Sequence, residues 1–249
     1  MSGHSKWHSI KHKKGAADKA RGKLFAKLIR QVEVAARNGG GDPDGNPTLR
    51  TMFQKAREAS VPLDTIERAI KRGTGELDGV NYENIVYEAY APNGVALLIE
   101  VLTDNRNRSG SDIRTALNKN GGSLAEPGAV SWQFERKGIV IVPRSVAEDD
   151  LMLIALDNGA EDLVDEGDTW RVTCEPSSTP DLRAALEDSG LAVESADVTM
   201  LPTSTVPLTE ESSAKQVLRV IDALDDLDDV QDVYANFDIP DDILEAVSA

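Results

Sequence analysis

The sequence predicts a multidomain α+β protein: an N-terminal three-helix bundle with a basic arm, followed by two ferredoxin-like α+β domains, one inserted in the other. Three observations carry this expectation. Apolar residues recur at three-four spacing up to residue 73, and the period becomes that of strands beyond it. Residues 138–202 contain a complete βαββαβ order, the split βαβ unit. The stretch 80–135 holds only ββαβ, and an αβ pair of the missing kind appears beyond residue 203. The expected limits are an arm over 1–17, a helical domain over 18–79, a middle domain over 80–137 plus 203–249, and an inserted domain over 138–202.

Residues 1–17 lack periodicity, carry Gly3 and Gly15 and crowd like charges, which predicts a flexible arm. From Asp18 a helix follows, with Leu24, Phe25, Leu28, Ile29, Val32, Ala35 and Ala36 on one face and Gly39-Gly40-Gly41 as its stop. Asn46 as N-cap and Pro47 at the first helical position open a second helix with Leu49, Met52, Phe53, Ala56 and Ala59 inward. Asp64 and Glu67 have the spacing of a capping box for a third helix ending at Gly73. Ile85–Tyr90 and Val95–Leu102 read as strands joined at Ala91-Pro92-Asn93-Gly94, Ser109–Asn120 as a helix, and Val130–Phe134 as a strand. In the insertion, strands are expected at 138–142, 162–165, 170–174 and 193–200, with helices at 149–158 and 180–189. Ala214–Leu224 completes the pattern as a helix and Val230–Phe237 as a strand.

Charge is split sharply along the chain. The first forty residues hold ten Lys and Arg against Asp18 and Glu33, a net +8, on a protein whose overall charge is −16. Residues 1–73 together carry +9 and the remainder −25. The basic module suits a polyanion, and nucleic acid is the partner that fits a cationic arm bearing an aromatic side chain. A single cysteine, Cys174, excludes an internal disulfide and a multi-cysteine metal site; in a strand pattern it reads as a small buried apolar residue. No apolar run is long enough to span a bilayer, and the basic N-terminus has no apolar region behind it of the secretory kind. A cytoplasmic protein that engages no membrane is expected.

The candidate nucleic-acid-binding residues are Lys6, Trp7, His8, Lys11, His12, Lys13 and Lys14 in the arm, and Lys19, Arg21, Lys23 and Lys27 on the polar face of the first helix. Lysines neutralise phosphates, while Trp7 and the histidines offer rings for stacking on bases. Packing of Trp7 back onto the bundle is the competing expectation for that residue. Arg106 and Arg108 form a second candidate contact, in the run Asp104–Ser109 between a strand end and a helix start, where backbone N–H groups and guanidinium groups suit an anion. His4, His8 and His12 share an i, i+4, i+8 spacing, but Gly3, Gly15 and the flanking lysines argue against a metal-binding helix, so no metal site is expected. Asp42, Asp44 and Asn46 start like a calcium loop, yet Pro47 and Phe53 stand where that loop needs Gly and Glu. The run Asp225-Asp226-Leu227-Asp228-Asp229 reads as a solvated helix end. No Walker-type loop is present, and no histidine lies near Cys174 in sequence, so neither a cofactor nor a small-molecule substrate is expected.

Four stretches, GHSKWHSIKHKK at 3–14, GGGDPDGNPTLR at 39–50, TDNRNRS at 103–109 and AEPGAVSWQFERKG at 125–138, resemble the YebC family of bacterial proteins, whose mitochondrial relatives are translational activators. The resemblance runs along essentially the whole chain. It implies three domains and a regulatory, nucleic-acid-associated role without catalytic activity, with promoter DNA and the translation machinery as the two kinds of target. No helix-turn-helix is legible, and the basic residues are spread along arm and first helix, which favours backbone and shape recognition over reading of base edges. That mode suits structured RNA at least as well as an operator, and it is the transcriptional role the resemblance most often implies that makes a DNA-binding transcriptional regulator the leading expectation. The alternative is a translational activator acting on ribosomal or messenger RNA at the ribosome.

Overall fold

The structure, a computed structural model, describes residues 18–248, and the chain divides into two compact units. One comprises the described residues up to Pro127 together with Lys215–Val233; the other comprises Gly128–Ala214 and the residues from Tyr234 on.

Three helices open the first unit: α1 (Asp18–Gly39), α2 (Pro47–Glu58) and α3 (Leu63–Gly73). Leu28, Val32, Ala35, Ala36, Leu49, Ala56, Val61, Ile66 and Ala69 are buried together between them. Alanines at this seam let the helices approach closely, and the aliphatic residues supply the apolar area removed from water. Asn46 caps α2 by accepting from Leu49 N–H at 3.1 Å, while its amide donates to the carbonyls of Ala35 and Gly40. The α1–α2 turn and the α2 start are thus fixed by one buried side chain. The capping box expected at Asp64 is not formed. Pro62 occupies the N-cap position, and Asp64, now inside the first turn, pairs with Arg68 at 2.6 Å. Helix α3 begins earlier because proline pre-sets its entry angle.

The same unit carries a sheet. Strands β1 (Glu83–Tyr90) and β2 (Ala96–Thr103) pair antiparallel from Glu83↔Thr103 to Tyr90↔Ala96. Their connection turns at Asn93 and Gly94, both with φ near +64° to +75°, the left-handed region these two residues tolerate best. Helix α4 (Arg106–Lys119) follows, then the two-residue β3 (Ser123–Leu124), which pairs with Ala89 and Tyr90. The expected third strand at Val130–Phe134 is not there. Val130 leaves the extended region, Ser131–Gln133 form a 3₁₀ turn, and Phe134 instead begins a strand of the other unit. Helix α7 (Glu211–Asp225) leads to β9 (Val230–Ala235), and the sheet order is β3-β1-β2-β9.

In the second unit β4 (Phe134–Pro143), α5 (Glu148–Asp157), β5 (Ala160–Asp165), β6 (Thr169–Cys174), α6 (Thr179–Asp188) and β7 (Ser195–Pro202) form an antiparallel sheet of order β5-β6-β4-β7. This is the ferredoxin-like arrangement. Val140, Val142, Leu151, Ala155, Trp170, Val172, Cys174, Leu182 and Leu186 make its core. Gly138 sits mid-strand because a Cβ there would collide with Thr179 Oγ1 and stand 2.8 Å from Cys174 Sγ. The strand expected over 230–237 breaks at Asn236. That residue is buried, donates to Gln133 Oε1 at 3.0 Å and accepts from Val206 N–H at 2.7 Å. Beyond the break β10 (Phe237–Asp238) pairs in parallel with β8 (Val206–Pro207), and α8 (Asp241–Ser248), which the periodicity had not signalled, closes the described chain.

Candidate nucleic-acid interface

Of the residues singled out above, Lys6, Trp7, His8, Lys11, His12, Lys13 and Lys14 lie outside the described residues. Lys19 and Arg21 belong to the opening of α1. Lys23 and Lys27 sit on the same helix at i, i+4, and Arg30 extends their row by a further three residues, so the three cations share one face.

That face is occupied by the turn between α7 and β9. Lys23 Nζ pairs with Asp226 Oδ1 at 2.6 Å and donates to the Asp226 carbonyl at 2.9 Å. Lys27 Nζ donates to the Gln231 carbonyl at 3.2 Å. Arg30 Nη1 donates to the Asp228 carbonyl at 2.6 Å and to Asp229 Oδ1 at 3.1 Å, with its guanidinium 5.9 Å from the centre of the Tyr82 ring. The acidic run expected to be a solvated helix end is therefore two things. Asp226 remains largely exposed, whereas Asp229 is buried. Burial alone would raise the Asp229 carboxyl pKa, but hydrogen bonds from Arg108, Ser109 and Thr103 outweigh that and hold it below the ordinary aspartate range.

Arg106 and Arg108 lie at the start of α4 rather than in a loop before it. Asn105 takes the N-cap conformation and accepts from Arg108 N–H at 3.1 Å, so helix begins three residues before Ser109 and one of its N-terminal donors is already used. Arg108 Nη2 contacts Asp104 and Asp229, each at 2.7 Å, and these hydrogen bonds push its pKa further up. Arg106 is exposed, and its carbonyl accepts from Tyr87 Oη at 3.3 Å. Ser109 Oγ, buried, lies 2.7 Å from both Thr103 Oγ1 and Asp229 Oδ2 and 3.2 Å from the Asn105 carbonyl. Its hydroxyl is locked in this network, which is a structural assignment rather than a nucleophile's. Around these groups lies an open cleft of about 560 Å³ lined by Lys23, Arg30, Tyr82, Arg108, Asp112 and the 226–230 turn.

Arg30 and the acidic turn are the participants that sequence reasoning did not assign to the interface. The usable signal was complementary charge: cations at 23, 27 and 30, and carboxylates at 225, 226, 228 and 229. Cys174 is buried as expected, and burial raises its thiol pKa. Among the described residues no group of three or more His, Cys, Asp or Glu is arranged to hold a metal ion, and no helix is long and apolar enough to cross a membrane.

Comparison with known proteins places this geometry among relatives. Residues 5–76 match the TACO1/YebC protein N-terminal domain, and residues 82–237 match the TACO1/YebC second and third domain. A "Probable transcriptional regulatory protein" of Thermobifida fusca is 57% identical over 250 residues, covering 100% of each chain. A protein of the same description from Halothermothrix orenii is 53% identical over 251 residues, covering 100% of this chain and 99% of its own. The crystal structure of a conserved hypothetical protein from Aquifex aeolicus superposes with a TM-score of 0.80 at 45% identity, covering 91% of this chain and 94% of that one.

Proposed function

From the premise that this chain belongs to the TACO1/YebC family, we propose that it is a non-enzymatic regulator of gene expression that binds nucleic acid through its basic N-terminal segment. The observation that carries the reading is the +8 of residues 1–40 on a chain of −16, continued by the cation row of α1. The candidate contacts are Lys6, Trp7, His8, Lys11, His12, Lys13, Lys14, Lys19, Arg21, Lys23 and Lys27, with Arg106 and Arg108, both exposed and the latter paired with Asp104 and Asp229, as a second site. A transcriptional regulator acting on DNA is the reading supported by what relatives of similar length are named.

A second reading, binding of ribosomal or messenger RNA in translation, has one observation in its favour. Lys23, Lys27 and Arg30 of α1 all engage residues 226–231, so these three do not form a free basic face of the kind that enters a major groove. Recognition by phosphate contact and shape suits structured RNA at least as well. Crosslinking in cells, followed by sequencing, separates the two: recovery of promoters supports the first, recovery of ribosomal RNA the second, and recovery of neither refutes both. In vitro, five to seven phosphate contacts give a slope of log affinity against log salt of roughly −3.5 to −6. Replacing Lys11, Lys13 and Lys14 by Ala flattens it by about three units if all three sit on phosphates. Unchanged affinity and slope in that variant would remove the arm from the interface.

A further inference from the structure

We propose that the acidic turn between α7 and β9 is an internal stand-in for a polyanion, with Asp226 holding Lys23 in the absence of nucleic acid and releasing it to a phosphate on binding. The inference rests on the nucleic-acid-binding reading above and adds a built-in competitor to it. Its ground is that two α1 cations of the candidate interface are held here, Lys23 by Asp226 in the turn and Lys27 by the Gln231 carbonyl just inside β9.

The contacts imitate a nucleic-acid backbone in chemistry. Lys23 Nζ holds an anionic oxygen, Asp226 Oδ1, and a neutral one, the Asp226 carbonyl, as it would hold the charged and ester oxygens of a phosphodiester. The turn is fastened at both ends and open at its tip. Leu224 and Val230 are fully buried, and Asp229 is bound by Arg30, Arg108, Ser109 and Thr103. Asp226 and Asp228 are exposed, and the Lys23–Asp226 pair has side-chain exposures of 25% and 73%. An ion pair that open to water is held weakly enough to exchange, up to about fivefold in an equilibrium constant. A phosphate can therefore take over Lys23 through a side-chain rotation, with no movement of the anchored backbone. Arg30, half-buried between Asp229 and Tyr82, stays where it is. The tip thus acts as a brake whose strength falls as salt rises, selecting for ligands with enough phosphates to outcompete one carboxylate.

General repulsion by an acidic protein would act in the same direction, so the test compares two variants of equal charge. The full chain as wild type, as D226N/D228N and as D149N/D150N, the last altering exposed acids at the start of α5, is titrated with a random 20-nucleotide RNA and a random 20-base-pair DNA from about 50 to 500 mM salt. Expected for D226N/D228N is binding about three- to fivefold tighter than wild type at the lowest salt, closing toward equality at the highest. D149N/D150N should gain less than about twofold. Equal gains in the two variants would reduce the effect to net charge and overturn the inference. Wild-type binding with no gain in D226N/D228N would overturn it while leaving the nucleic-acid reading intact. Absence of binding by every form would remove both. As an independent readout, the side-chain carboxyl resonance of Asp226 in the wild type should shift on adding RNA, and an unchanged resonance in a saturated complex would also count against displacement.

Discussion

Asp229 accepts from four side chains, and its replacement by alanine tests whether that convergence stabilises the first unit. Asp229 Oδ2 receives Ser109 Oγ and Arg108 Nη2 at 2.7 Å and Thr103 Oγ1 at 3.1 Å, while Oδ1 receives Arg30 Nη1 at 3.1 Å. After D229A the Ser109 hydroxyl can donate to the Asn105 carbonyl and the fully buried Thr103 hydroxyl to Ser109 Oγ 2.7 Å away, so neutral acceptors replace the carboxylate. Exchanging buried hydrogen bonds to a charged acceptor for neutral ones costs about 1–2 kcal/mol, and loss of the half-buried, charge-assisted Arg30 contact adds about 1 kcal/mol after screening. Arg108 reaches water and is left out of the sum. The expected loss is about 2–3 kcal/mol. Urea unfolding read by hydrogen exchange at the Leu97–Val101 amides of β2 isolates the unit that holds Asp229. The pH dependence gives a second handle. A carboxyl whose pKa is depressed by folding stabilises the fold fully above its unfolded value near ~4, and that contribution fades as pH falls through the lower folded value. The gap between wild type and variant should therefore be constant from about pH 5 to 8 and shrink below about pH 4. A loss under about 0.5 kcal/mol, or a gap that widens in acid, would refute the assignment.

Other substitutions read other parts of the fold. N46A removes an N-cap and two buried donations to the α1 end, so it should cost about 2 kcal/mol in the same exchange assay, with Asn46→Asp recovering only the cap to Leu49 N–H. G138A forces Thr179 and Cys174 away from β4 and should destabilise the second unit by about 2–3 kcal/mol, seen as loss of the blue-shifted fluorescence of buried Trp170 at lower urea. The Cys174 thiol, buried and with a raised pKa, should react with a disulfide reagent at the rate of unfolding; immediate reaction in the native protein would contradict its burial.

The helical bundle was legible because local rules determine it. Three-four spacing supplied the core face, and Asn46-Pro47 carries its own stereochemistry for starting a helix. The ferredoxin-like order was legible for the same reason, since each of its elements has a clear period and a turn on either side. Mistakes arose where a residue serves a tertiary need that imitates a local signal. Gly138 looks like a strand break but is a close approach to Thr179 inside one strand running from Phe134 to Pro143. Strand β3 has two residues, too few to show any period. Asn236 is a polar residue buried for its hydrogen bonds, and it ends a strand whose apolar pattern continues past it. At the candidate interface the cation row on α1 could be read directly. Its occupation could not, because Lys23 and Asp226 lie 203 residues apart and nothing local to either announces the other.

The sheet order β3-β1-β2-β9 also has a consequence in time. Synthesis delivers β1 and β2 early, but the strand that flanks β2 emerges only after all of β4 to β7 has been made. The second unit's βαββαβ is contiguous, so its contacts can close as soon as its last strand appears, while the hairpin ahead of it waits with one edge bare. A nascent chain of this protein therefore passes through a stage in which a later-made sheet is finished before an earlier one. Aggregation or chaperone capture at that stage should be driven by the uncovered backbone of Ala96–Thr103, a strand with seven of its eight residues buried in the finished fold.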